Sequence, residues 1–113
     1  MNRKRIAQRR AEIDWLDAQL LSLLNQRAEL AGELGRLKRR AGLPLADRMR
    51  ESLVLARVLE KNPGPLDDRS VTRIFRRIIH ESRRVQGAAG QRQRSRQNGP
   101  SFQKDDLRRT GQL

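Results

Sequence analysis

Three sets of side chains carry the chemistry that this chain can offer. Arg27 and Lys38 stand eleven residues apart, which at ~100° per residue leaves them only ~20° out of line on one helix. Their separation of ~16 Å along the axis lets two long cationic side chains lean toward one small anion between them. Asp47, Arg50 and Glu51 follow at i, i+3 and i+4, a single helical face. Ser82 and Gln86 make a further i, i+4 pair. Taken singly, each set also fits a blander role: solvated charge on an amphipathic helix, an N-cap with local ion pairing, a helix-packing serine. Arg10 differs from all of these. It lies ~25 Å before Arg27 and ~100° round the helix, so a small ligand held by Arg27 is beyond its reach. If Arg10 serves the same kind of ligand, it serves a site built mainly by another subunit.

Composition excludes most other chemistry. A chain of 113 residues is expected to form one small domain. It has no cysteine, which removes disulfides, thiolate metal sites and cysteine nucleophiles, and its single histidine, His80, removes histidine-cluster metal sites. No metal and no cofactor are expected. No apolar run approaches the ~18 residues needed to span a bilayer. The basic start MNRKRIAQRR has no apolar segment behind it, so a cytoplasmic location is the expectation. The net charge of +13 favours anionic ligands, whether nucleic acid, membrane surface or an acidic small molecule. The cations are dispersed, however: five fall in the first ten residues, six follow Gly87, and the rest alternate with acids along the helices.

The element that must position Arg10, Arg27 and Lys38 is a helix from about Arg9 to Arg40, free of proline and ~48 Å long. Ile13, Leu16, Leu20, Leu23, Leu24, Ala31 and Leu34 give it an apolar stripe at steps of three and four. A chain this small cannot bury such a stripe by itself. Gly42 and Pro44 stop the helix, and Asp47 caps a second one, RMRESLVLARVLEKN, which carries Arg50 and Glu51. The NPGP break precedes a third helix, capped by Asp67 or Asp68 and ending near Gln86, with Val71, Ile74, Phe75, Ile78, Ile79, Ser82 and Val85 on one stripe. Residues 1–8 read as a basic lead-in, 9–86 as the helical domain, and 87–113 as a disordered basic tail rich in Gly, Gln, Arg and Ser. The fold class is all-α, three helices per chain with one very long, completed by a second copy of the chain.

The ordered set of RRAEIDWLDAQLLSLLNQRAELAGELGRLKR, LPLADRMRE and NPGPLDDRSVTRIFRRIIHESRRVQ resembles the all-helical, AroQ-type chorismate mutase family, over roughly residues 6–86. The resemblance implies an intertwined homodimer with two active sites, each lined by Arg27, Lys38, Asp47, Arg50, Glu51, Ser82 and Gln86 of one chain and by Arg10 of the other. It implies the Claisen rearrangement of chorismate to prephenate in phenylalanine and tyrosine biosynthesis, a unimolecular reaction needing no nucleophile, metal or proton relay. Lys38 and Gln86 are then the catalytic donors to the ether oxygen. Arg10 and Arg27 bind the two carboxylates, with Arg50 and Ser82 assisting, and Glu51 with the Asp47 region holds the ring hydroxyl. Two alternatives stand beside this reading. One is isochorismate pyruvate lyase of the same fold, disfavoured by the Asp47, Arg50 and Glu51 cluster. The other is a basic helical dimer that binds nucleic acid, disfavoured by the lack of a recognition motif or an aromatic platform for bases. An activating partner enzyme is left open.

Overall fold

The computed structural model describes residues 2–95, and its elements are α1 (Asn2–Ala41), α2 (Arg48–Lys61) and α3 (Asp68–Ser95). No strand occurs among the described residues. Each helix boundary has a local chemical cause. At the end of α1, Gly42 takes φ +69°, and the N–H groups of Gly42 and Leu43 donate to the carbonyls of Arg39 and Lys38 at 3.2 and 2.8 Å. That pair of bonds satisfies carbonyls the helix leaves open, and only a left-handed residue makes it without strain. Asp47 caps α2, its Oδ1 accepting from the Arg50 N–H at 3.0 Å. Between α2 and α3, the Asn62 side chain accepts from the Gly64 N–H and donates to the Leu66 carbonyl, closing the turn. Asp67, rather than Asp68, caps α3: its Oδ1 accepts from the Ser70 N–H at 2.7 Å. Hydrogen bonding from Ser70 holds its carboxyl below the usual carboxylate range.

Two helices run further than their sequence suggested. α1 begins at Asn2, inside the expected lead-in, because residues 3–10 are arginine, lysine, alanine, glutamine and a single isoleucine, nearly all strong helix formers. α3 continues nine residues past Gln86, where alanine, glutamine and arginine outweigh the propensity cost of Gly87 and Gly90. The remainder of the expected tail, 96–113, lies outside the described residues.

α3 is the middle of the molecule, packing on α1 along one flank and on α2 along the other, while α1 and α2 do not pack on each other. The result is flat, 60 × 36 × 14 Å, with a radius of gyration of 18.0 Å against the ~13 Å of a compact domain of this size. The buried core is correspondingly thin: Ala31, Val71 and Ile79, with Gly32 and Gly35 where α3 crosses α1. At that crossing a Cβ on Gly35 would lie 2.6 Å from the Gln86 carbonyl oxygen and 2.8 Å from its Cα. The two backbones meet there with no room for a side chain.

Most of the apolar stripe of α1 faces solvent, although Ala31 is buried and Leu24 half-buried. Ile13, Leu16, Leu20, Leu23, Leu30, Leu34 and Leu37 are each between 44% and 64% exposed. With Arg27 they form an unbroken alternation of three- and four-residue steps from 13 to 37, the spacing that coiled-coil seams use. Among the described residues, no helix is long and apolar enough to cross a membrane.

Candidate active site

The angle between α1 and α2, floored by α3, encloses a cavity of about 240 Å³. Helical spacing explains who faces it. Arg27 and Lys38 both project from one side of α1, and Ser82 and Gln86 project one turn apart from α3. The first turn of α2, fixed by its cap, brings Asp47, Arg50 and Glu51 to the third wall. Leu30, Ala31, Leu34, Leu45, Val54 and Ile79 supply the apolar part of the lining.

Hydrogen bonds set the donors in place. The Arg27 guanidinium donates to the Ser82 hydroxyl, which itself donates to the Ile78 carbonyl at 2.9 Å. Ser82 is thereby a strut that aims Arg27 across the gap between α1 and α3. Lys38 Nζ donates to the Leu45 carbonyl at 2.9 Å and to Gln86 Oε1 at 3.3 Å. Gln86 is the most buried polar side chain described, 9% exposed. Because Lys38 takes its oxygen, its amide hydrogens are left for a ligand. Arg39 adds a clamp behind the site, donating to the Gly87 carbonyl at 3.1 Å. Arg50 has no side-chain partner among the described residues and is free to engage an anion.

Seven of the eight residues singled out from the sequence therefore line one cavity: Arg27, Lys38, Asp47, Arg50, Glu51, Ser82 and Gln86. Arg10 does not. It sits on the free N-terminal half of α1, ~25 Å along the axis from Arg27. One charged cavity residue escaped the sequence reading. Arg83 lines the wall beside Ser82, and its Nε lies 3.1 Å from Glu51 Oε2. Its spacing of three from Gln86 was a signal, but a neighbouring Arg84 of the same type turns away to Glu81.

Four cations thus face two carboxylates around a half-open pocket holding two neutral polar side chains, one a hydroxyl and one a buried amide. Such a lining suits a small, anionic, oxygen-rich molecule and offers preorganised donors to it. It is an anion clamp built on three helices. Residues 9–87 match the family described as Chorismate mutase type II, and the chain belongs to that family. It is 43% identical over 72 residues to the bifunctional chorismate mutase/prephenate dehydratase of Neisseria gonorrhoeae, a match covering 64% of this chain and 19% of that protein. The corresponding protein of Stutzerimonas stutzeri is 40% identical over 76 residues, covering 62% and 20%. The chain spans about a fifth of the length of these relatives. The solved structure of chorismate mutase (form II) from Thermus thermophilus superposes with a TM-score of 0.72 at 36% identity, covering 74% of this chain and 94% of that one.

Proposed function

We propose that the chain catalyses the rearrangement of chorismate to prephenate, as a homodimer with two sites. The observation that carries this reading is the convergence on one cavity of Arg27, Lys38, Asp47, Arg50, Glu51, Ser82 and Gln86, drawn from three helices. Its product is then the substrate of a prephenate dehydratase, the second activity in the names of the bifunctional relatives.

The reaction is a [3,3] shift that breaks one C–O bond and forms one C–C bond within a single molecule. The substrate's two carboxylates must be drawn into a compact conformer. Planar guanidinium groups suit that task, since each meets a carboxylate in two-point geometry. Arg27, steadied by Ser82, takes one carboxylate, with Arg50 assisting from α2. Holding the folded conformer is a contribution of position and orientation. As the C–O bond breaks, negative charge gathers on the ether oxygen. Lys38 and the Gln86 amide are the donors that meet it, and one such donor is worth ~3–4 kcal/mol of barrier. Glu51, with Asp47 near, accepts from the ring hydroxyl.

The dimer is supported by the exposed seam of α1 and by the thin core of the single chain. Two α1 helices, residues 2–41, overlapping antiparallel along their full length pair residue n with 43 − n. Arg10 then falls opposite position 33 of the partner, between Arg27 and Lys38, and becomes the second carboxylate ligand of the partner's site. This arrangement is tested by mixing subunits. Arg10→Ala and Lys38→Ala proteins, each inactive alone, should recover about a quarter of wild-type turnover when denatured and refolded together, because half of the dimers are mixed and each has one intact site. No recovery would refute the shared site. The activity itself is tested by the loss of chorismate absorbance with the purified full chain.

A further inference from the structure

Ion pairs among the described residues are of two kinds. Arg9–Glu12, Arg77–Glu81 and Arg84–Glu81 each lie within one helix, with every side chain at least 42% exposed. Arg83–Glu51 joins α3 to α2, and Glu51 is only 25% exposed. It is the pair least screened by solvent, and both of its members border the cavity.

Glu51 occupies an awkward place for a carboxylate. Arg50 is its neighbour in sequence and Lys38 shares its cavity, and both are needed for an anionic substrate. Lys38 is already held by the Leu45 carbonyl and Gln86, so an untethered Glu51 would pair with Arg50 and repel the ligand. Arg83 approaches Oε2 from the α3 side at 3.1 Å, and Oε1 has no partner among the described residues. One oxygen is thus engaged from the α3 wall of the cavity while the other stays available as an acceptor. Four cations against two carboxylates leave this chain's share of the lining net positive, as an anionic ligand requires.

We propose that Arg83 is a positioning residue, whose ion pair with Glu51 keeps that carboxylate off Arg50 and presents it to the substrate's ring hydroxyl. The inference rests on the mutase reading of the site. Because the hydroxyl is held alike in ground and transition states, losing the brace weakens uniform binding and shows in KM rather than kcat.

The test is steady-state kinetics on the full chain for wild type, Arg83→Gln, Arg83→Lys, Glu51→Gln and the Arg83→Gln/Glu51→Gln double variant. Arg83→Gln should raise KM for chorismate roughly tenfold with kcat within about twofold, and Arg83→Lys should restore most of the loss. In the Glu51→Gln background, Arg83→Gln should have no further effect, since no carboxylate is left to restrain. An equal KM rise in both backgrounds would make Arg83 a general source of positive charge and overturn the proposal. So would a change confined to the melting temperature. If Arg83→Gln does not fold, Arg83→Lys carries the same comparison: a KM change that vanishes beside Glu51→Gln supports the brace, and one that persists overturns it. Wild-type protein that consumes no chorismate removes the mutase reading itself, a failure visible before any variant is compared.

Discussion

Gly35→Ala tests the geometry of the site without touching any group that would meet substrate. The new Cβ would lie 2.6, 2.8 and 3.1 Å from the carbonyl oxygen, Cα and carbonyl carbon of Gln86. These are backbone atoms, so no side chain can swing aside and α3 itself must yield. Restoring an ordinary contact of 3.4 Å requires a retreat of about 0.8 Å, the difference from 2.6 Å. The Lys38–Gln86 hydrogen bond, 3.3 Å long, would open to about 4 Å and cease to be one. Overpacking costs ~1–3 kcal/mol, and alanine's better helix propensity returns ~1 kcal/mol, so net stability falls by only ~0–2 kcal/mol. Catalysis suffers more: displacing a donor by nearly 1 Å lowers kcat by about 100-fold. The assay is chorismate turnover alongside thermal unfolding. Gly87→Ala is the control, one residue beyond Gln86, where an added Cβ meets nothing within 4 Å. It should gain ~1 kcal/mol of stability with kcat unchanged. A Gly35→Ala protein with wild-type kcat would refute the claim that this close approach sets the position of Gln86.

Lys38→Ala should lower kcat by about 10²–10³-fold, as expected for one lost donor to developing charge. Its stability should fall by ~1–3 kcal/mol, for the bond to the Leu45 carbonyl and the Gln86 oxygen left without its partner, and unfolding on this change would make Lys38 a structural residue instead. Gln86→Glu should move activity toward acid pH, because a carboxyl donates only when protonated and Lys38 Nζ, 3.3 Å from the present amide oxygen, favours its ionised form. A flat pH–rate profile for that variant would remove Gln86 from the ether-oxygen role. The Asp67 cap makes a prediction about stability. Its folded pKa is lowered by Ser70, so its contribution is present above the unfolded value of ~3.9 and is lost as pH falls through the folded value. Asp67→Ser keeps a cap without a carboxyl, and the dependence of melting temperature on pH below about 4 should become shallower than in wild type.

What was legible in the sequence is what depends on neighbours along the chain. Gly42 before Pro44, Asp47, and the Asn62–Pro65 break mark the ends of helices because capping and turn chemistry act within about four residues. The same is true of the faces: Arg27 with Lys38, Asp47 with Arg50 and Glu51, and Ser82 with Gln86 share a side because helical pitch alone dictates it. The length of α1 and its stripe of leucines likewise announced an unpartnered face. Even the two helix overruns are local matters, in which good helix formers at 3–10 and 88–95 prevail over scattered glycine and crowded positive charge. Only the packing of helices decided the rest. That Gln86 reaches Lys38 depends on Gly35, a residue with no side chain to advertise its role, set against the backbone of another helix. That Arg83 turns to Glu51 while Arg84 turns to Glu81 depends on where α2 lies, and two adjacent arginines carry no such distinction in their sequence. Arg10 stands apart from the cavity of its own chain for a reason of length alone, since a rigid helix holds its two ends too far apart to serve one small ligand.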